Sequence, residues 1–360
     1  MEDWLFRFRR IHICTGTGSL ALWLSTTLWL ALALCSCSRS QPASEQQGSA
    51  SPGFETLELR YQGFAGAVTY PELAEDLGYL SPLRLAYVGN TISGPQDIQT
   101  VVTRDIDFGG AFNGAVLKLV AAQAPVQAII GYYGVDQETW GGFYVLEGSP
   151  IVSARDLIGK KVAVNTLGAH YEFVLREYLA RAGRSKDEIA QVTLLVVPPV
   201  NGEQALRQGQ VEVTTLQGTL RDKAAERGGL RKLFSDFDLF GKFTAGSIVL
   251  RRDFLQTHPR TARHFVDATA RAIEWARNQP RAAVIARFEQ IIGRRGRAED
   301  ASSVKYWRTT GVAGTGGQIQ DREFGMWIDW LVKDGQLQSG QLEPSDVYTN
   351  ELNPFFKSAS

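Results

Sequence analysis

A chain of 360 residues with 38 basic and 38 acidic side chains carries no formal net charge, and no basic stripe stands out along it. That balance argues against a protein built to neutralise nucleic-acid phosphates. Hydrophobic residues make up 44% of the composition, that of a globular protein, and the length suggests two domains. The one locally basic run, Arg294-Arg295-Gly296-Arg297, reads as a solvated turn.

Residues 1–37 read as an export signal rather than as part of the fold. Arg7, Arg9 and Arg10 give a basic start, and Leu20–Leu34 is an apolar run short for a membrane span. The ending Leu34-Cys35-Ser36-Cys37 resembles the lipobox of bacterial lipoproteins, which implies cleavage before Cys37 and its lipidation. Cys35 fits less well, since Leu34 would sit at the cut; a plain signal or an uncleaved anchor is the alternative. Cys14 and Cys35 would leave with the signal, so the mature body would have no disulfide and no thiolate for catalysis or metal binding. Residues 38–54, rich in Ser, Gln, Ala and Gly, form a flexible tether, which as a coil spans roughly 20–25 Å.

The body opens with a strand at Leu57–Tyr61, by alternation, then a helix across Pro71–Leu80 and a strand at Leu83–Val88. Ser93 is placed to cap a helix with Pro95 just inside it. Ile106–Ala111 reads as a short strand that turns at Gly109, Gly110 and Gly114 into a helix running to Ala122, with Asn113 as its cap. Strands follow at Val126–Tyr132, Gly142–Leu146 and Val162–Asn165. The next helix, from Ala169, stacks Val174, Leu175, Tyr178 and Leu179 and stops at Gly183. Val192–Val197 is a strand, Glu203–Arg207 a short helix, and Ala245–Leu250 a further strand. Thereafter the chain turns helical: Thr261–Arg277 puts Phe265, Ala268, Ala272 and Ile273 on one face, and Phe324–Val332 groups Trp327, Ile328 and Leu331. His258 and His264 near this tail read as structural, and the Gly-rich Gly311–Gly317 as a loop. Strands alternating with helices at this spacing predict parallel α/β sheets.

One stretch occurs twice. Asp105–Gly114 and Arg207–Gln217 share a plan of polar turn, apolar–acidic–apolar strand and small or polar strand end. Asp107 answers to Glu212, Phe108 to Val213 and Ala111 to Leu216. Each copy offers a strand end, and the first a helix start, to a shared crevice, where free N–H groups suit a polar or anionic ligand.

These residues resemble the substrate-binding proteins of nitrate, sulfonate and taurine ABC importers. The resemblance rests on Gly94-Pro95-Gln96, Asp105–Gly110, Ser149-Pro150-Ile151, Asp156-Leu157, Gly159–Ala163, Leu167–His170, Pro198, Ala205–Gly209 and Val211-Glu212-Val213, and runs from about Leu57 to Leu352. It implies an α/β, two-lobed periplasmic-binding-protein (Venus-flytrap, type II) fold with two hinge crossings, expected near Phe143–Leu146 and Phe243–Leu250. Lobe one would comprise residues 55–145 and 246–360, and lobe two residues 146–245. It also implies an extracytoplasmic, monomeric protein, lipid-anchored if the lipobox reading holds, that hands a small solute to a permease and ATPase, or alternatively to a sensor. The aromatic "Asp-Ala-Trp" strand end common in the family is replaced here by Val213–Gln217. Enzymes on this fold use cysteines that the body lacks, and no HExxH, GxSxG or Walker loop occurs, so no catalysis and no cofactor are expected.

Strand ends and helix starts are where crevices form in α/β folds. By that rule the ligand-binding candidates are Tyr61, Gln62, Phe64, Ser93, Gly94, Phe112, Asn113 and Trp140 in lobe one, and Asn165, Thr166, Gly168, His170, Thr215 and Gln217 in lobe two. No Asp, Glu, Arg or Lys stands among them, so an anion would rest on helix starts, while the aromatics suit a planar or apolar body. The expectation is an organic anion, a sulfonate or carboxylate with a hydrocarbon or aromatic part; a neutral heterocycle is the alternative.

Overall fold

The computed structural model describes residues 53–357. The expected signal segment with Cys37, and the tether 38–54 except its last two residues, lie outside the described residues. Strands β1 (Glu58–Gly63) and β2 (Arg84–Asn90) pair in parallel. β3 (Phe108–Phe112) and β4 (Val126–Val135) come next. β5 (Gly141–Leu146), β6 (Lys161–Val164), β7 (Thr193–Val196), β8 (Val213–Gln217) and β9 (Leu230–Ser235) make a five-stranded sheet in the order β7-β6-β8-β5-β9. β10 (Phe243–Arg251) returns to lie between β3 and β4, antiparallel to both. The molecule is thus a mixed α/β, two-lobed periplasmic-binding-protein fold.

The expectation of parallel sheets holds for β1–β2 and β7-β6-β8. It fails for β3-β10-β4, where β10 is a return strand that enters its sheet from the other end, and for β8-β5-β9, where β5 runs antiparallel to both neighbours. The crossings also sit earlier than expected. β5 and β10 each lie wholly within one sheet, and the chain passes between sheets at residues 136–140 and 236–242.

The repeated stretch has a structural counterpart. β3 and β8 both begin one residue after the acid, at Phe108 and Val213. Asp107 Oδ2 accepts the Arg60 N–H at 2.8 Å, and Glu212 Oε2 accepts the Lys161 N–H at 2.9 Å. In return the Asp107 and Glu212 amides donate to the Arg60 and Lys161 carbonyls, at 2.9 and 3.0 Å. Each strand then runs straight into a helix, Asn113–Ala121 and Gly218–Arg227.

Two local expectations need correction. Asn113 does not cap its helix; Phe112 holds that position. Asn113 is fully buried, donates to the Thr244 and Glu323 carbonyls at 3.1 and 3.3 Å, and accepts from Ser247 Oγ at 2.8 Å. A buried amide needs both donors and acceptor satisfied, and β10 with helix Arg322–Asp334 supplies them. The run Arg294–Arg297 is not a solvated turn throughout, since the side chains of Arg295 and Arg297 are only 9% and 13% exposed. Both donate to Glu72 Oε1, at 3.1 and 2.9 Å, and Arg297 also donates to the Tyr61 hydroxyl at 2.6 Å. Glu72 is the buried member of a capping box with Thr69, so its charge requires such partners. The helical tail packs as expected, with Phe265, Ala268, Ala272, Ile273, Trp327 and Leu331 buried.

The glycines of the Asp105–Gly114 stretch make room for protein rather than ligand. A Cβ on Gly109 would meet the Asp97 carboxyl at 3.0 Å, one on Gly110 the Tyr132 ring at 2.7 Å, and one on Gly114 the Phe112 ring at 2.6 Å. Asp97 accepts the Gly110 N–H at 2.7 Å through Oδ2, while its Oδ1 has no partner. Burial pushes this carboxyl up from 3.8 to about 7, with the Gly110 N–H pulling the other way. The native state therefore holds an extra proton between those values and loses stability as pH rises through that window. Asp97→Asn keeps an acceptor for Gly110 without the titration. Relative to wild type it should gain on the order of 1–4 kcal/mol between pH 5 and 8 in chemical denaturation. A difference that stays constant with pH would contradict a buried protonated acid.

Candidate functional site

A cleft of about 480 Å³ lies between the three-stranded sheet β3-β10-β4 and the five-stranded sheet, bounded by strand ends and helix starts from both sides. Ile92–Pro95 contribute the start of helix Gly94–Val102, and Ala169–Tyr171 that of helix His170–Arg181. Gln217–Leu220 contribute the start of helix Gly218–Arg227. The N-cap residues Ser93, Ala169 and Gln217 make no side-chain cap bond, so these three helices present their positive ends without an internal acceptor side chain. A surface concavity of about 450 Å³ beside Phe54 and His264 is comparable in volume, but one helix and the two ends of the described chain line it.

Close packing sets the cleft wall. Gly94 has Ala111 Cα only 2.8 Å from where its Cβ would stand, which presses the helix start against β3. At Gly141 a Cβ would fall 2.1 Å from the Tyr171 hydroxyl, so only glycine lets that phenol cross the start of β5. The Tyr171 hydroxyl donates to Gln217 Oε1 at 2.7 Å, joining two helix starts. Trp140 carries the Arg221 guanidinium 4.1 Å and the Lys232 ammonium 4.7 Å from its ring centre. Arg221, itself buried, donates to the Glu138 and Trp140 carbonyls at 2.8 and 3.1 Å, fixing the passage 136–140.

The polar centre of the wall is His170 with Asp236. His170 Nε2 lies 2.9 Å from Asp236 Oδ2, and Asp236 Oδ1 accepts the N–H groups of Gly141 and Phe237 at 3.0 and 2.8 Å. With the carboxylate as acceptor, the network assigns the Nε2 proton to the histidine. Nδ1 is then left buried and without a partner, as is Asn165 Oδ1 nearby in the lining. Among the described residues no group of three or more His, Cys, Asp or Glu could hold a metal ion.

Eight of the candidates come together in this lining: Phe64, Ser93, Gly94, Phe112, Trp140, Asn165, His170 and Gln217. The other six stand outside it. Tyr61 is core, its ring stacked 5.6 Å from Phe108 and its hydroxyl donating to Glu72. Gln62 follows it on β1, with a buried Oε1 that lacks a partner. Asn113 serves the polar node under β10. Thr166 follows Asn165 in the loop, half-buried, and Gly168 donates its N–H to Glu172 Oε2 at 2.7 Å. The Thr215 hydroxyl turns to the Ala163 carbonyl at 3.2 Å. Absent from the candidates but present in the lining are Ile92, Tyr132, Tyr133, Thr139, Tyr171, Thr219, Asp236 and Thr310. Tyr132 and Tyr133 lie near the end of an expected strand, and the same rule would have found them. Asp236 corrects the expectation of a lining free of acids; it follows β9, a strand that alternation did not reveal, and Ser235 capping the Asp238 N–H was its one local mark.

Solved structures share this fold. The alkanesulfonate-binding protein SsuA from Xanthomonas axonopodis pv. citri, bound to MOPS, matches with a TM-score of 0.65 at 20% identity, over 82% of this chain and 99% of that one. The periplasmic aliphatic sulphonate binding protein SsuA from Escherichia coli gives 0.63 at 19%, over 85% and 96%. The periplasmic nitrate-binding protein NrtA from Synechocystis PCC 6803 gives 0.65 at 13%, over 83% and 88%. No curated protein sequence matches the chain. The family model described as NMT1/THI5 like matches residues 74–283, more than half of the 360 residues, and the chain belongs to that family.

Proposed function

We propose that the chain is an extracytoplasmic solute-binding protein that clamps a small organic molecule between two lobes and delivers it to an ABC importer. The observation that carries this reading is the convergence of three uncapped helix starts on a cleft bounded by both sheets. The passages at 136–140 and 236–242 act as hinges, and solute held between the lobes stabilises the closed form by mass action. Sulfonate- and nitrate-binding proteins of the same fold support the transport role. A receptor-linked sensor would use the same clamp.

The favoured ligand is an organic anion. Helix starts supply its counter-charge, and Phe64, Phe112, Tyr132 and Trp140 supply walls for a hydrocarbon or aromatic part. A neutral heterocycle bearing N–H donors is the second reading, favoured by the partnerless acceptors Asn165 Oδ1 and His170 Nδ1 and by a lining without Lys or Arg. Binding without chemistry is the natural reading of a body that contains no cysteine.

Calorimetry against alkane- and arylsulfonates, alkyl and aryl carboxylates, taurine, nitrate and aminopyrimidines separates these readings. The expected result is tight binding of an organic sulfonate or carboxylate, unchanged on recovery. Tight binding of nitrate alone, or of an aminopyrimidine alone, would exclude the organic-anion reading, and turnover of a bound compound would exclude pure binding. Lipidation at Cys37, motivated by Leu34-Cys35-Ser36-Cys37, places the clamp at a membrane surface. Cys37→Ala should abolish membrane retention and the lipid mass at the mature N-terminus; an unmodified N-terminus cut elsewhere in the wild type would refute the anchor.

A further inference from the structure

Asp236 is only 1% exposed and stands where three parts of the molecule meet. It opens the short helix Asp236–Phe240, which follows β9 and leads into the return to β10; the Phe237 amide that donates to it lies in the first turn of that helix. Gly141, its second amide donor, is the first residue after the outward passage 136–140. Both of those bonds end on Oδ1, which leaves Oδ2 for His170. His170 in turn starts helix His170–Arg181 and is 8% exposed at the cleft wall. Its ring stands edge-on to Phe112, 5.4 Å away, at the end of β3 in the other sheet. One carboxylate therefore ties together the inner ends of both passages and the imidazole that touches across the cleft.

We propose, on the reading of the cleft as a solute clamp, that Asp236 is a positioning residue coupling cleft to hinge. Oδ2 sets the tautomer and orientation of His170, and Oδ1 locks the two passages in the geometry that brings His170 against Phe112. A solute packed against the imidazole acts through this carboxylate on the passages, and a change in the passages re-aims the imidazole. Burial raises the value of each link. Hydrogen bonds to a charged group are stronger than neutral ones, and a carboxylate in this position left short of donors is costly.

The coupling can be tested without knowing the solute, by amide hydrogen exchange on the full chain at Gly141 and Phe237. Asp236→Ala should speed both amides about tenfold or more, and His170→Asn, altered only on the cleft side, at least about threefold. Asn165→Ala, in the same lining but with no bond to Asp236, should leave them within about twofold. Should the His170 variant not fold, Asp236→Asn carries the test, since it keeps an acceptor for both amides but presents an N–H to the ring. The two amides should then stay slow while the nitrogen NMR spectrum of His170 shifts to the Nδ1–H tautomer. Amides unmoved by His170→Asn, equally moved by Asn165→Ala, or a histidine tautomer unchanged in Asp236→Asn would overturn the coupling. Failure of every compound in calorimetry would count against the clamp reading and leave these exchange results standing.

Discussion

The wedge of Trp327 is the contact on which the cleft depends. This fully buried indole, on helix Arg322–Asp334 near the end of the chain, stands edge-on to Phe112 at 4.3 Å and against Phe173 at 3.8 Å. Phe112 ends β3 and Phe173 lies one turn into helix His170–Arg181, so one side chain packs against an element from each sheet. The helix that carries it is anchored by Glu323, which accepts the Thr244 N–H at 2.7 Å, and by Asn113 beneath. Truncating a buried aromatic costs about 3–5 kcal/mol, against about 1 for a typical hydrogen bond. The apolar wedge therefore dominates, and the polar node aims it.

Electrostatics in the cleft look contradictory at first, since helix starts favour an anion and Asp236 opposes one. The contradiction eases once the carboxylate is followed to its partners. Gly141, Phe237 and His170 all stand within hydrogen-bond distance of it, so its charge is compensated inside the protein. Such a group repels an anion far less than a bare carboxylate would. The cleft wall then offers a set of backbone N–H groups at the helix starts and, just beneath its surface, two partnerless acceptors on Asn165 and His170. A solute with an acidic end and an N–H or O–H elsewhere would meet both.

Much of this arrangement was legible along the chain. Helical periodicity picked out Phe265, Ala268, Ala272 and Ile273 on the buried face of helix Pro259–Asn278, and the acid-then-strand repeat matched Asp107 with Glu212 and Phe108 with Val213, which hold equivalent places at the starts of β3 and β8. The rule of strand ends and helix starts found Ser93, Phe112, His170 and Gln217 because cleft position there follows from local geometry. It failed where the decisive partner was remote. Asn113 looks like a helix cap until Thr244 and Glu323, more than a hundred positions away, take its amide. Arg295 and Arg297 look solvated until Glu72 is brought to them by packing of the first and last parts of the fold. Asp236 was hidden for a related reason, since β9 lacks the alternation that marks a strand and its carboxylate acquires meaning only beside Gly141 and His170.

On the clamp reading, the space between the sheets holds a small organic solute. Native mass spectrometry of the full chain purified from its own cells, beside a variant with the cleft filled by Thr219→Trp, tests it most directly. The wild type should carry an excess mass of a small organic compound, lost on gentle unfolding and absent from the folded variant. An identical bound mass on both proteins would contradict that reading, and so would a wild type that stays bare after incubation with every compound of the calorimetric panel.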